Sequence, residues 1–376
     1  MPLRINLETE PRKRNLLRRI ADTESRYSYQ APVELSDLAR IDPLFEKLAK
    51  TPAFLRLRDI RFLGGIDFLL VPSPNGSEGN QRYTRYQHSL GVAWLALRYC
   101  EMRQVPEDAR RLAYAAALLH DVGHCPLSHS LEPIFEEAFG INHHKATEDI
   151  IYGRVPLGKQ LNAALREDGV DPEEVVAVLE GKLDPFEGFF SGPINFDTIE
   201  GILRSRRYAT RVTIPISPLN VVEAATLRRG AADESLVDAF WGYKDEVYRL
   251  LIRAPAGVLA DYVCQEVTRA SLSKLAPEDF LSTESALFRK VPRLRPLLVD
   301  RKRLLALTEE VSIHFKVREF TIHRDADFFT RQDKQRYVQR KWDSVLTFPK
   351  GPELTPSKEG TLFDDAGSLR PIEDLL

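Results

Sequence analysis

Three observations predict a folded, mainly α-helical protein. Apolar residues recur at helical spacing along most of the chain, helix-start signals precede several of those runs, and clear two-residue alternation is confined to one segment near the carboxyl end. The 376 residues suffice for two or three domains, or for one large domain with extensions. With 43% hydrophobic and 29% charged residues the composition is near the globular average, which excludes wholesale disorder and low-complexity fibre. A formal net charge of -2 creates no whole-molecule attraction to nucleic acid or anionic membrane, so any such contact must come from a local patch.

In chain order, residues 1–31 are polar and arginine-rich and read as an arm. Asp42 and Pro43 then signal a helix start, with Phe45 and Leu48 on one face. Thr51 and Pro52 repeat the signal, and Phe54, Leu57 and Ile60 form the next stripe. VPSPNGSEGN at 71–80 is a loop. Leu90, Trp94 and Leu97 place a helix over 86–103, and Leu112, Ala116 and Leu119 place another over 107–120 behind Pro106. Further helices are expected at 144–152, 159–168, 172–180, 197–207, 218–228 and 233–269, the last broken near Pro255. Strand alternation is clear only over 311–322, through Ile313, Phe315 and Val317. The tail beyond about residue 350 reads as extended.

Cys100, Cys125 and Cys264 are far apart and form no CxxC pair, which argues against a disulfide framework, a cysteine zinc knuckle or a redox dithiol. A reducing cytoplasm fits best. The amino terminus lacks an apolar signal core, and no stretch approaches the roughly 18 apolar residues that span a bilayer.

Six of the eight histidines, His88, His120, His124, His129, His143 and His144, lie within 57 consecutive residues. Imidazole is the commonest metal ligand and titrates near neutrality, so such crowding suits metal binding or proton transfer, although a single histidine is ordinarily a hydrogen-bonded structural residue. In HDVGHCPLSH, a carboxylate and three imidazoles crowd one helix terminus, and Gly123 removes side-chain bulk there so that another segment can come close. Asp121 opposes the dipole of its helix unless a cation compensates. Asp197, in Asp197-Thr198-Ile199-Glu200, is eligible both as the N-cap of a capping box and as a ligand.

TPAFLRLRDIRFLGG, RYQHSLG, HDVGHCPLSH, the histidine of NHHKATE and the aspartate of INFDTIEGI, in that order, resemble the HD-domain phosphohydrolases, specifically the branch of the deoxynucleoside triphosphate triphosphohydrolases. The resemblance runs from about residue 42 to 270. SLSKLAPEDFLSTES interrupts the helical pattern near 270–285 and divides the chain into an HD domain at 32–275, a helical and strand-containing region at 276–349 and an extended tail at 350–376, although one continuous helical domain with a small appendage reads the same; the resemblance implies that the HD domain is all-helical. It also implies one divalent metal, Mn, Mg, Fe, Co, Ni or Zn, held by His88, His120, Asp121 and Asp197. His124 and His144 look like the catalytic histidines, with His143 also eligible in the HHK doublet and alignment favouring His144. Glu132 matches an acid that orients one of them, and Arg85 and His129 match phosphate-contacting positions. A homo-oligomer and a nucleotide or related phosphoester substrate complete what the resemblance implies.

The substrate-reading positions depart from that pattern. Leu55 stands where the family has a glutamine that reads the sugar hydroxyl, and Lys145 stands where a glutamate usually follows the catalytic histidine. Thr198, Gly201 and Ser205 replace a lysine, a tyrosine and an aspartate, and Tyr248-Arg249-Leu250-Leu251 keeps only the tyrosine of a Tyr-x-His-Lys word. A site that recognises a hydroxyl discriminates by satisfying buried polar groups, so a standard deoxynucleotide pocket does not carry over, whereas the reaction class does. Arg204, Arg206 and Arg207 offer extra phosphate contacts or a solvated helix face. Two alternatives stand beside the phosphohydrolase. One is a nuclease or phosphodiesterase using the basic clusters Arg289, Lys290, Arg293, Arg295, Arg301, Lys302, Arg303 and Arg331, Lys334, Arg336, Arg340, Lys341 as a backbone track. The other is a regulator that binds nucleotide without turnover.

Overall fold

The computed structural model describes residues 33–69, 83–183, 186, 188, 190, 192–210, 216–300, 303–304, 311–328 and 333–348. The expected arm, the loop at 71–80, the tail, and Arg301, Lys302 and Arg331 of the basic clusters lie outside the described residues.

Local signals set the first elements. Helices α1 (Leu35–Ala39) and α2 (Pro43–Ala49) open the fold. Asp42 Oδ1 accepts the Leu44 amide at 2.9 Å as the N-cap of α2, with Pro43 in the first turn, where a missing N–H costs nothing. The next stripe is α-helical only over α3 (Pro52–Leu55) and tightens into a 3₁₀ turn at Arg56–Asp59, yet Phe54, Leu57 and Ile60 are all fully buried as expected. After the short α4 (Ile66–Leu69) comes the central helix, α5 (Arg85–Met102). Its expected face of Leu90, Trp94 and Leu97 is buried, and so are Val92, Ala93, Leu95, Ala96, Tyr99 and Cys100 on its other sides. A helix apolar all round belongs inside a protein, and α5 is packed by α6 (Glu107–Leu119), α11 (Phe196–Thr210) and α12 (Pro218–Leu227).

Between α6 and α11 run α7 (Glu132–Phe139), α8 (His143–Ile151), α9 (Lys159–Glu167) and α10 (Pro172–Leu179), within one or two residues of the ranges expected for the last three. Asn142 and Asp171 cap α8 and α10 with side-chain oxygens on backbone amides at 3.0 Å. The long run expected at 233–269 is α13 (Ala231–Val247), a π turn at Tyr248–Ile252, and α14 (Pro255–Arg269); Pro255, having no N–H, cannot continue the preceding ladder. Then follow α15 (Glu284–Lys290), α16 (Leu294–Val299) and α17 (Asp333–Arg336).

The expected strand is β1 (Ser312–Ile322), and it pairs antiparallel with β2 (Tyr337–Thr347), from Ser312 opposite Thr347 to Ile322 opposite Tyr337. Alternation did not reveal β2 because its middle is exposed on both faces, so charged and apolar residues interleave without a buried side. The hairpin is fixed to α13 by Trp241, whose ring meets Phe320 and Tyr337 at 5.5 and 5.2 Å and whose Nε1 donates to Thr321 O at 3.0 Å. Arg336, expected in a basic track, is instead 2% exposed and pairs with Asp238 and Glu234 at 2.7 and 2.6 Å. Lys290 and Arg303 are likewise paired, with Asp279 and Asp300. No helix among the described residues is long and apolar enough to cross a membrane.

A second apolar cluster binds the segment after the histidine-rich turn to later helices. Cys125, Leu127, Leu131 and Phe135 pack with Cys264, Phe280, Leu287, Leu294 and Leu298. The base of the histidine-rich turn therefore rests on the helices of the carboxyl-terminal third.

Candidate metal centre and histidine cluster

Four side chains from three helices converge at one point. His88 lies in the first turn of α5 and is fully buried, His120 ends α6, Asp121 follows it, and Asp197 occupies the first turn of α11. His88 Nε2 is 3.1 Å from His120 Nε2, 3.0 Å from Asp197 Oδ1 and 3.5 Å from Asp121 Oδ2. His120 Nε2 is 3.4 Å from Asp121 Oδ1 and 4.0 Å from Asp197 Oδ1. Adjacent ligands of an octahedral ion, each about 2.1 Å from the metal, stand roughly 3 Å apart, so these separations suit a small divalent cation. Second partners aim the rings. His88 Nδ1 is 2.6 Å from Glu200 Oε2, and His120 Nδ1 donates to Ala117 O at 2.9 Å, so both Nε2 atoms face the shared locus.

The helix cap resolves the two readings of Asp197. Asn195 Oδ1 accepts the Thr198 amide at 2.7 Å, and Thr198 Oγ1 accepts the Asn195 amide at 3.2 Å, so Asn195 caps α11. Asp197 is not the cap, and its carboxylate, 48% exposed, lies 3.0 Å from His88 Nε2.

Electrostatics agree with a cation site. Burial alone would lower the basicity of His88, but Glu200, Asp197 and Asp121 outweigh it and raise the imidazole to about 9. Burial also works against ionised Asp121, yet Arg85, His120 and His124 hold it well below the usual carboxylate range, and His88, then His120, lower half-exposed Asp197. In the ion-free protein His88 therefore carries the proton that a divalent cation would displace.

Arg85 supplies the positive charge that Asp121 needs at a helix C-terminus. The guanidinium is 3% exposed and fully engaged, with Nη1 on Asp121 Oδ2 at 2.7 Å, Nε on Ser128 Oγ at 3.0 Å and Nη2 on Phe62 O at 3.1 Å. It braces the turn where a phosphate contact had been expected. Arg204 and Arg206 are also engaged, with Glu200 and Glu246.

Beside the centre lies the histidine cluster. His124 is 1% exposed, its Nε2 is 3.2 Å from Asp121 Oδ1, and its Nδ1 has no hydrogen-bond partner among the described residues. Burial, then Arg85, keep this imidazole neutral by pulling it well below the usual histidine range. Its ring stacks on His143 at 4.3 Å. Glu132 Oε1 meets His143 Nδ1 at 2.5 Å and accepts the His143 amide at 2.8 Å, while Oε2 meets the exposed His129 at 2.9 Å. By proximity these four side chains also form a group able to hold a cation.

The structure thus joins His143 to Glu132 and places the favoured His144 outside, exposed, with its ring 3.9 Å from that of His143. Asn142 caps α8, which puts His143 in its first turn with the backbone amide aimed at Glu132. Gly123 lets α8 seat directly on the turn, because a Cβ there would lie 2.5 Å from His143 O.

Sequence reasoning missed Glu200, Tyr83 and Lys244. Glu200 is three residues after Asp197, hence on the same helix face, and that spacing was an available signal. Lys244 on α13 is 6% exposed between the rings of Trp241 and Phe320, at 4.6 and 4.9 Å, and donates to Pro193 O at 3.4 Å. Burial lowers its ammonium to about 8, opposed by nearby Asp197. No local pattern marked it.

Residues 85–187 match the HD domain family. An uncharacterized protein, YwfO, of Bacillus subtilis is 36% identical over 141 residues, covering 36% of this chain and 30% of that protein. A deoxynucleoside triphosphate triphosphohydrolase SAMHD1 of Gallus gallus is 30% identical over 156 residues, covering 38% and 24%. Its Dictyostelium discoideum homolog is 26% identical over 187 residues, covering 44% and 33%. The matched segments span a third or less of these relatives. The family match falls on α5 to α10, which carry His88, His120, Asp121 and the histidine cluster, and over these residues the chain is similar to HD-domain proteins, deoxynucleoside triphosphate triphosphohydrolases among them.

Proposed function

We propose that the protein is a metal-dependent phosphohydrolase acting on a nucleotide or related phosphoester, with nucleoside triphosphates as the first substrates to test. One observation carries the reading: the imidazole nitrogens of His88 and His120 and the carboxylate of Asp121 form a group able to hold a cation, with Asp197 Oδ1 3.0 and 4.0 Å from the two Nε2 atoms and both rings oriented from behind. When bound there, a divalent ion supplies charge for a phosphoryl oxygen and makes a nearby water more acidic. His88, His120, Asp121 and Asp197 would hold it.

The remaining residues divide the proton chemistry. With Nε2–H directed to Asp121, neutral His124 offers the lone pair of Nδ1 as a proton acceptor. His143 holds a proton on Nδ1 against Glu132 and presents Nε2, the atom through which it can exchange a proton with the leaving oxygen. Exposed His129, oriented by the same carboxylate, offers its other nitrogen to a phosphate. In this reading Arg85 acts through Asp121.

The test is product identification. Purified protein with Mn, Co or Mg, incubated with a nucleotide panel, should release phosphate, pyrophosphate or triphosphate, and His120→Ala should abolish release. No product from any nucleotide, or an unchanged His120→Ala variant, would overturn the proposal.

A further inference from the structure

We propose that Glu200 is a positioning residue for the metal centre: its carboxylate fixes His88 with the proton on Nδ1, so that Nε2 presents its lone pair to the cation. The inference rests on the metal reading of the site and concerns a residue outside the ligand set. Glu200 is 2% exposed, and its oxygens face four donors. Oε2 lies 2.6 Å from His88 Nδ1 and accepts from Tyr83 OH, while Oε1 accepts from Arg204 Nε at 2.6 Å and from Arg204 Nη2. An ionised carboxylate can only accept, so the imidazole nitrogen facing it must be the N–H. Burying such a charge is costly unless it is paired, and Arg204, itself lying over the Tyr83 ring at 4.5 Å, supplies the pairing.

The backbone makes room for this contact. Gly91 stands on α5 where Glu200 passes, and a Cβ there would collide with Oε1 and lie 2.8 Å from Cδ. His120 is held differently, by the neutral carbonyl of Ala117. Of the two imidazoles, only His88 therefore has a carboxylate behind it, and a carboxylate strengthens a ring as a donor as well as orienting it.

The experiment is calorimetric titration of Mn(II) into the metal-stripped full chain, repeated with Co(II) while recording its visible spectrum. Glu200→Gln should weaken binding by about 10- to 100-fold and alter the Co(II) spectrum, a signature that a loss of folding stability alone would not produce. Gly91→Ala, which favours the helix but displaces the carboxylate, should weaken binding in the same direction and keeps the test open if Glu200→Gln does not fold. Wild-type affinity and spectrum in both variants would overturn the positioning role and leave the metal reading intact. A wild-type chain that binds neither ion would overturn both.

Discussion

Replacing Gly123 by alanine tests whether α8 is docked on the histidine-rich turn as tightly as the geometry requires. The added Cβ would lie 2.5 Å from His143 O and would also meet the Thr147 amide nitrogen, whereas ordinary contact begins near 3.4 Å. Both obstacles are backbone atoms of α8, so no side chain can swing away, and the helix must retreat by about 1.2 Å to clear the nearer of them, the Thr147 amide, or the turn must deform. The Gly123 amide donates to Thr147 Oγ1 at 3.0 Å, and that bond would stretch with the retreat. Overpacking of this kind costs about 1–3 kcal/mol. A displacement near 1 Å at catalytic groups costs on the order of 100-fold in rate, because His143 would leave its place beside Glu132 and His124. Mn(II) affinity should change far less, since His88, His120, Asp121 and Asp197 do not sit on α8. The assay combines denaturant unfolding, Mn(II) titration and single-turnover hydrolysis of the best nucleotide. Unchanged stability and turnover would refute the docking geometry, and equal losses of turnover and ion affinity would refute the division between centre and cluster.

Two further outcomes follow from the same site. His143→Ala should lower turnover by about 100- to 10,000-fold, whereas His144→Ala should stay within a few-fold, and steady-state kinetics showing the reverse order would restore His144 as the catalytic histidine. In the metal-free protein His88 is raised from 6.5 to about 9, so its contribution to stability is complete below about pH 6.5 and is lost as pH rises through 9. A rise of that size corresponds to roughly 3 kcal/mol, to be read by denaturant unfolding between pH 6 and 9.5; saturating Mn(II) should flatten the profile, and metal-free stability that is level or rising over that range contradicts the assignment.

What the sequence determined by itself was local. Asp42-Pro43 starts α2, Pro255 divides the long helical run, and the closeness of His120, Asp121 and His124 along the chain gathers three polar side chains in the turn that follows α6. The ordered motifs also named the four convergent side chains without coordinates. Tertiary structure decided the rest. Asn195, not Asp197, caps α11, Glu132 faces His143 in preference to His144, and Glu200 stands behind His88, 112 positions away. Arg85, Arg204 and Arg336 looked available as single letters, yet each lies against a buried or half-buried carboxylate from another turn or element. An arginine's charge is legible in one residue, but its partner depends on which backbones pack closely. Here glycines at 91 and 123 admit that approach by leaving space where a Cβ would collide.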